Sequence, residues 1–374
     1  MVTFCHRRSI LSTERVITMF LAWKEIRYAK LRYGLIVGIM ILVAYVVLML
    51  SGLANGLADG NRTAIDDWKS SAIILSEDSN KIANASQLQK KDMDRVSAKE
   101  IAGVGIYSTA VEKKSGGDKT NVSIFGTDNK SFIVPKVTKG RLYKNDNEVI
   151  ASENLLSEGY KLNQRIKVND QTLKIVGVTK ETTYTLAPVI YLNPATFKTL
   201  KYGSQPTTNE PINLIATKGK TTVDNPKGQT TLEKMSPETF IENIPGYTPE
   251  KLTLNTMIYF LFVVAAAIIG IFMYVITLQK TAIFGGMKAQ GVATGYLVRS
   301  ILAQAFLVGI MGVAIAGGLS ILTSLVLPSA MPFAVHWEEW AVYSLTLVLV
   351  AMIGGLFSIR TVTKVDPVTA IGGE

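Results

Sequence analysis

The sequence predicts a membrane protein with four transmembrane α-helices and a large α+β extracytoplasmic domain between the first and second helix. Hydrophobic residues make up 48% of the 374-residue chain and charged residues only 18%, whereas soluble proteins usually carry about a quarter charged residues. The apolar residues concentrate in four windows, and a charged, polar middle separates the first window from the other three. This distribution is typical of a membrane protein with one large domain outside the bilayer.

The N-terminal region is predicted to contain a leader and an interfacial helix. Residues 1–18 have no uncharged apolar core long enough for a signal peptide, and Met19 opens a more coherent segment, so they are interpreted as a non-native or disordered leader. Residues 19–33 place apolar side chains on one helical face and Lys24, Arg27 and Lys30 beside or opposite it. This pattern predicts a helix lying on the inner leaflet and contacting membrane lipids. The apolar face comprises Phe20, Trp23, Ile26, Ala29 and Tyr33.

Four segments reach the ~20 residues that a helix needs to cross the hydrocarbon core. They are predicted at residues 34–53, 254–278, 300–327 and 340–359. The segments between and after them are an outer domain at 54–253, a cytoplasmic segment at 279–299, an extracellular loop at 328–339 and a cytoplasmic tail at 360–374.

The distribution of basic residues predicts the orientation in the membrane. Lysines and arginines precede the first span and follow the second and fourth spans, whereas the loop at 328–339 carries Glu338 and Glu339 and no base. Because cytoplasmic loops are enriched in basic residues, both termini are predicted to be cytoplasmic and residues 54–253 extracytoplasmic.

The outer domain shows alternating short strand and helix patterns. Ser152 stands where it can cap a helix at residues 153–160, and residues 169–170 form a turn between two strands. Strands are predicted at 66–76, 149–151, 164–168, 172–178 and 188–192, with a second short helix at 194–203.

Composition excludes several classes of function. The net charge of +10 could indicate nucleic-acid binding, but the bases cluster beside the spans or mix with acids, which favours a membrane-flanking role. The chain has one cysteine and two histidines, so neither a disulfide framework nor a cysteine or histidine metal site is predicted. No serine, cysteine or carboxylate constellation indicates hydrolysis. We therefore expect a non-catalytic chain without an intrinsic cofactor.

Three stretches carry a resemblance to a known family. They are TLQKTAIFGGMKAQGVATGYLVRSILAQ after the second span, ENLLSEGYKLNQRIKVNDQTLKIVGVTK in the outer domain, and VTKVDPVTAI in the tail. Together with the order of one span, an outer domain and three spans, the chain from Met19 onward resembles the MacB/FtsX-like permeases of the ABC superfamily. The resemblance implies a permease homodimer that works with a separate ATPase subunit, which binds the ATP.

The segment after the second span is expected to be the contact with that ATPase. Ile283, Phe284 and Met287 can form one apolar face of a short helix with Lys288 beside it, and Gly291 allows a turn back to the membrane. The resemblance implies a coupling helix at these five positions. An ordinary cytoplasmic turn with amphipathic packing is the alternative.

Within the superfamily, MFLAWKEIRYAKLRYGLI, LSGLANGL and TTYTLAPVIYLNPATFKTLKYG resemble the heme-exporter permeases of Gram-positive bacteria, the HrtB group. This resemblance implies a Gram-positive cell membrane and heme as the transported ligand, with Tyr184 and Tyr247 as heme-binding residues and Glu242 as a nearby carboxylate. A tyrosinate can ligate ferric heme. Alternatively, Tyr184 packs beside a strand and Tyr247 anchors the second span at the interface. A lateral membrane cavity is predicted to involve Met40, Tyr45, Met49, Met257 and Tyr259.

Two functions remain open from the sequence. The first is an exporter that extrudes heme from the membrane by ATP-driven closure of the permease dimer. The second is a mechanotransmitting permease that regulates a cell-wall hydrolase, or handles antimicrobial peptides, drugs or lipids. Gly38, Gly52 and Gly270 are predicted as close-contact points between helices in either case.

Overall fold

The computed structural model describes residues 22–113, 118–203, 210–328 and 331–359. The predicted leader and tail therefore lie outside the described residues, as does Phe20. The described chain divides into two compact units. The residues up to Asn55 and those from Thr253 onward form the helical unit, and Gly56–Leu252 forms the central domain.

The helical unit is built on four helices that are long and apolar enough to cross a membrane: α2 (Lys30–Trp68), α6 (Tyr247–Gln279), α8 (Thr294–Ser324) and α9 (Trp337–Leu356). A short helix α1 covers residues 22–28, with a turn at Ala29 before α2. Another short helix, α7 (Thr281–Ala289), lies between α6 and α8. These helices, with the mixed α/β domain between α2 and α6, confirm the predicted fold class.

Helix α2 continues well beyond the predicted span, and the strand predicted at 66–76 is wrong in its first part. The chain stays helical through Trp68, and strand β1 begins only at Ala72. Ala64, Ile65 and Trp68 are buried along one side of this extension, which is the spacing of an amphipathic helix. Arg62 also forms an i,i+4 ion pair with Asp66, with Nε and Oδ2 2.7 Å apart, a pairing that stabilises a helix.

Close helix packing in the helical unit depends on glycine. A Cβ built on Gly354 of α9 would lie 2.8 Å from the carbonyl oxygen of Ala266 and 3.0 Å from the nitrogen of Gly270, both on α6. A Cβ on Gly52 would overlap the ring of Phe333. The close helix contact predicted at Gly270 is thus confirmed, whereas Gly52 packs against Phe333, which lies in the connection between α8 and α9 and not on a helix. A Cβ built on Gly38 meets no atom of the described residues within 4 Å, so no close contact is found there within one chain, and the contact stays a prediction.

The central domain contains the described strands and three short α-helices. The helices are α3 (Glu153–Ser157), α4 (Pro194–Tyr202) and α5 (Pro237–Glu242). The strands are β1 (Ala72–Ser76), β2 (Leu88–Gln89), β3 (Val96–Ser97), β4 (Glu100–Lys113), β5 (Thr120–Gly126), β6 (Val137–Gly140), β7 (Glu148–Ser152), β8 (Arg165–Val168), β9 (Gln171–Thr179), β10 (Thr183–Tyr184), β11 (Ala187–Leu192), β12 (Pro211–Ile212), β13 (Leu214–Lys218), β14 (Thr222–Val223) and β15 (Leu232–Met235).

Strand pairing forms a ring with an extension. Strand β4 pairs with β5, β5 with β11, β11 with β7, β7 with β9, β9 with β8, and β8 with β4 again. The ring encloses one apolar cluster, which includes Val111, Ile124, Val149 and Ile190. The first half of β4 leaves the ring and continues into the antiparallel order β4-β13-β1-β15. The short strand β10 extends the sheet from β11.

Most of the elements predicted in this domain are confirmed, with bounds shifted by one or two residues. Strands β7, β8, β9 and β11 and helix α4 lie where the sequence patterns place them. Helix α3 ends at Ser157 and not at residue 160, and the chain turns at Gly159, where φ is +85°. Ser152 occupies the N-cap position without a side-chain cap. Its hydroxyl accepts instead from the backbone nitrogen of Val189 at 3.2 Å, which ties β7 to β11.

A part-buried lysine in the central domain predicts a dependence of stability on pH. The Lys201 amine donates to the carbonyl oxygen of Ile106 at 2.9 Å and to Oδ1 of Asn213 at 3.1 Å. Burial lowers the pKa of Lys201 to about 8, whereas an unfolded lysine titrates near ~10.4. Between these values the unfolded chain binds the proton and the folded chain does not, so stability rises with pH.

We therefore expect the free energy of unfolding of the wild type, relative to that of Lys201→Met, to increase as the pH rises from about 8 to about 10. Thermal unfolding of both proteins in detergent across this range measures the difference. The exposed Lys161→Met serves as the matched control and should show no such trend. If the difference in unfolding free energy between the wild type and Lys201→Met does not change with pH, the lowered pKa of Lys201 is contradicted.

Candidate functional site

Tyr184 is a buried aromatic residue at the edge of the central sheet. It ends the short strand β10 and is 3% exposed. Its ring lies edge-on to Phe125, with ring centroids 5.4 Å apart. Burial raises the pKa of the Tyr184 phenol well above its usual value, because a low-dielectric environment disfavours the tyrosinate. In this conformation the side chain is therefore a neutral phenol.

Tyr184 also lines a cleft of about 260 Å³. The connection between α5 and α6 forms part of the cleft through Phe240, Asn243, Ile244 and Pro245. This connection follows Glu242 in the chain and leads directly to Tyr247. Drug-sized ligands usually occupy pockets of ~300–1,000 Å³, so the cleft in one chain is slightly smaller than a typical ligand pocket.

Tyr247 lies in the same buried apolar cluster as Tyr184. It begins α6 and is 3% exposed. Its phenol oxygen accepts a hydrogen bond from Nη1 of Arg62 at 3.3 Å, and the amine of Lys251 lies 5.7 Å from its ring centroid. The structure thus brings the two predicted tyrosines into one region and gives Tyr247 two cationic neighbours, Arg62 at its oxygen and Lys251 near its ring.

Glu242 ends α5 and is exposed. Its backbone carbonyl accepts from the hydroxyl of Thr248 at 2.5 Å, which helps to hold the connection to α6. The carboxylate is not part of the cleft lining. Its predicted role beside the ligand stays a prediction.

Arg62 is an organising residue that the sequence analysis did not single out. Besides its ion pair with Asp66, its Nη2 lies 2.8 Å from Oε2 of Glu238 on α5. One guanidinium therefore connects the end of α2, helix α5 and the first residue of α6. The i,i+4 spacing of Arg62 and Asp66 was a signal in the sequence for their ion pair. Glu238 and Tyr247 are separated from Arg62 by most of the domain sequence, so no local pattern indicates those contacts.

The five residues predicted to line a membrane cavity fall into two groups. Met40 is buried and faces Gly312 of α8, and the hydroxyl of Tyr45 lies 3.0 Å from that of Thr323. Met257 and Tyr259 on α6 are instead 48% and 59% exposed, and Met49 on α2 is half-buried. Within the described chain, the first two therefore pack helices, and the exposed pair is available to lipid or ligand. A common cavity stays a prediction.

The predicted coupling residues lie on α7 and the turn after it. Phe284 is buried in the apolar cluster of the helical unit and Met287 packs against that cluster, whereas Ile283 is 62% exposed. The predicted single apolar face is therefore split, because neighbouring residues on a helix point about 100° apart. Lys288 is half-buried. Gly291 has φ of +87°, a left-handed conformation that glycine adopts without strain, and α8 begins three residues later.

A second unpredicted feature is a polar cluster in the helical unit, formed by Glu25, Tyr33, Lys280 and Gln304. A signal was present in the sequence, because Gln304 is an amide inside the predicted span at 300–327. Polar side chains in such segments usually face other protein groups.

Two family models cover the chain. The MacB-like periplasmic core domain matches residues 34–234, which include most of the central domain. The FtsX-like permease C-terminal model matches residues 255–367, which include most of α6 and all of α7, α8 and α9. The chain belongs to the MacB/FtsX family of ABC transporter permeases. Because permeases of ABC transporters work with an ATPase subunit, membership implies an ATPase partner.

Individual MacB/FtsX relatives extend over nearly the whole chain. A Staphylococcus epidermidis protein whose name describes it as a hemin transport system permease protein, HrtB, is 31% identical over 95% of this chain and 99% of its own length. Its namesake in Staphylococcus haemolyticus is 30% identical over the same shares. An ABC transporter permease of Mycobacterium tuberculosis is 24% identical over 95% of this chain and 99% of its own length.

Among solved structures, the periplasmic region of MacB from Actinobacillus actinomycetemcomitans is 14% identical, covering 47% of this chain and 94% of that one with a TM-score of 0.33. A similarity at this level supports no statement about the function of this permease.

Proposed function

We propose that this chain is the permease subunit of an exporter that extrudes heme from the membrane. In this proposal the permease forms a homodimer, and a separate ATPase chain binds and hydrolyses ATP, so the permease itself is not catalytic. The observation that carries the proposal is the 31% identity, over 95% of the chain, with a relative named for hemin transport. Heme is the transported ligand and not a resident cofactor.

The geometry of the central domain supports a ligand site near Tyr184 and Tyr247. Tyr184 lines the cleft beside the α5–α6 connection, and aromatic faces can stack on a porphyrin. After loss of its proton to solvent, the oxygen of Tyr247 can accept from Arg62 and still coordinate ferric iron as a tyrosinate, because a phenolate oxygen has three lone pairs. Tyr184 would act mainly through its ring, since its buried phenol resists ionisation.

The proposal also includes an orientation in the membrane. Both termini and α7 would face the cytoplasm of a Gram-positive cell, with the central domain outside. On the inner surface, Ile283 offers an exposed apolar side chain for the ATPase. Trp23, Tyr28 and Leu31 are exposed apolar residues near the start of α2, and together with nearby bases they would contact lipid.

A mechanotransmitting permease is the second candidate function, and one observation favours it. Helices α2 and α6 each run without a break across the division between the helical unit and the central domain. A continuous helix can pass a displacement along its axis without any transported substrate. In this case an outer protein partner would take the place of heme.

The experiment that distinguishes these functions is a visible-absorbance titration of hemin into the purified full-length permease in detergent. We expect a saturable Soret shift in the wild type. In Tyr247→Phe, which keeps the ring and loses the oxygen, affinity should fall about tenfold, as for the loss of one ~1.4 kcal/mol interaction. Tyr184→Ala should weaken binding more than Tyr184→Phe, because stacking depends on the ring.

The matched control for this titration is Tyr202→Phe, since Tyr202 lies on α4 of the same domain and is 46% exposed. It should bind hemin as the wild type does. Non-saturating partition of hemin that is equal in all proteins would exclude the heme site. That result would favour the second candidate function, in which the permease acts on an outer protein partner.

A further inference from the structure

A polar cluster joins four segments of the helical unit. The amine of Lys280 lies 3.0 Å from Oε2 of Glu25 and donates to the hydroxyl of Tyr33 at 3.3 Å. The Tyr33 hydroxyl in turn donates to Oε1 of Gln304 at 2.5 Å. Nε2 of Gln304 donates to Glu25, which closes the cycle. We call these four residues the polar lock.

The polar lock is largely shielded from solvent. Tyr33 and Gln304 are 1% and 2% exposed, and the side chains of Lys280 and Glu25 are 16% and 28% exposed. The cluster contains one cation and one anion, and each of the four groups has a partner within it. In a low-dielectric setting such a satisfied network is strong, whereas removing one charge leaves the other unpaired.

The position of the lock in the chain connects it to the coupling helix. Lys280 is the residue directly before α7, and Gln304 lies on α8, the helix that follows α7. Along the chain α7 is joined only to α6 and α8. The lock adds Glu25 of α1 and Tyr33 of α2, so the start of α7 is also bound to the beginning of the first long helix.

Apolar packing around the polar lock also holds the start of α7 against the beginning of α2. Phe284 of α7 and Tyr33 of α2 belong to one buried cluster, so the first turn of α7 is packed as well as hydrogen-bonded. A displacement of α7 that left α1 and α2 in place would have to separate the Lys280–Glu25 ion pair. Moving these elements together preserves it.

We propose that Glu25, Tyr33, Lys280 and Gln304 are positioning residues that pass a displacement of α7 directly to α2. This inference rests on the proposed role of α7 as the contact with the ATPase. It adds a route through space to the covalent routes through α6 and α8. The Lys280–Tyr33 hydrogen bond holds the start of α7 at a fixed distance from α2 while both move. The Lys280–Glu25 ion pair does the same for α1, and the Tyr33–Gln304 hydrogen bond ties α2 to α8.

The test measures that distance in the permease alone, without heme or ATPase. Nitroxide labels at Ala289→Cys on α7 and Leu35→Cys on α2, both exposed positions, are introduced after Cys5→Ser, and their separation is measured by double electron–electron resonance. Labelled permease is mixed with an excess of unlabelled permease, so that each dimer carries labels in one protomer. The wild type and Lys280→Arg, which keeps the charge, should then give one narrow distribution. Lys280→Met should broaden it and shift it to longer distances.

The matched control is Lys30→Met, which removes an exposed lysine from the start of α2 and should leave the distribution narrow. If Lys280→Met does not fold, Glu25→Gln with Lys280→Met leaves no unpaired charge and should show the same broadening. An unchanged distribution in the folded single or double variant would overturn the proposal.

A second measurement follows the coupling itself. With the ATPase subunit bound to the wild type, addition of ATP should change two distances at the same time. The first is the distance from α7 to the C-terminal end of α8, and the second is the distance from α2 to the same end of α8. In Lys280→Met the α2 response should be lost while the α7 response remains. Retention of both responses would overturn the proposal. Hemin binding by Lys280→Met should stay at the wild-type level, so failure of the heme titration and failure of the lock are distinguishable.

Discussion

Replacement of Trp68 by alanine is expected to destabilise the central domain by about 3–5 kcal/mol, as for other buried aromatic residues truncated to alanine. Trp68 ends α2 and is 1% exposed. Its ring lies edge-on to Phe125 with centroids 5.5 Å apart, and Phe125 contacts Tyr184 in turn. The substitution leaves a cavity beneath the predicted ligand residue. Thermal unfolding of the full-length protein measures the loss, and hemin affinity should fall with it.

The matched variant for this prediction is Trp68→Phe. The indole nitrogen of Trp68 is buried and has no hydrogen-bond partner among the described residues, so phenylalanine removes an unsatisfied donor and keeps most of the ring. We expect a smaller cost than for alanine, because phenylalanine leaves a smaller cavity next to Phe125. Equal destabilisation by alanine and phenylalanine would show that packing on Phe125 is not the source of the stability.

Replacement of Gly354 by valine is expected to disrupt the packing of α9 on α6. The atoms nearest to a built Cβ are the carbonyl oxygen of Ala266 and the nitrogen of Gly270, both within 3.0 Å. Because these are backbone atoms, no side-chain rotation relieves the overlap, and the two helices must separate. Overpacking typically costs about 1–3 kcal/mol and occasionally more, and we expect the upper end of this range. Fluorescence-detected thermal unfolding in detergent measures the effect.

Gly318→Val provides the control for Gly354→Val. Gly318 lies on α8, another long apolar helix, and its built Cβ meets no atom within 4 Å. Glycine is exchanged for valine in a helix in both variants, so the change in helix propensity is the same, but at Gly318 the new side chain overlaps no neighbouring atom. A similar loss of stability in both variants would show that the change in helix propensity, and not the α6–α9 contact, causes the destabilisation by Gly354→Val.

Local patterns predicted the order of the elements because their signals lie within short windows. The four spans follow from continuous apolar length, and strands β7, β8 and β9 follow from alternation bounded by turn residues. The sequence analysis did not predict that α2 extends to Trp68. The extension has few apolar positions, and polar residues separate them from the first membrane span. There the buried face of the helix, and not local hydrophobicity, maintains the helix.

By itself, the sequence determined four apolar spans, an inserted α+β domain, a short helix within the segment at residues 279–299, and membership of a permease family. Each of these properties is encoded in neighbouring residues or in similarity along the chain. Only the tertiary structure decided that Tyr184 and Tyr247 share one buried cluster, that Arg62 holds Tyr247, and that Lys280 pairs with Glu25. These contacts join residues far apart in sequence, and their geometry depends on how sheets and helices pack, which no local periodicity specifies.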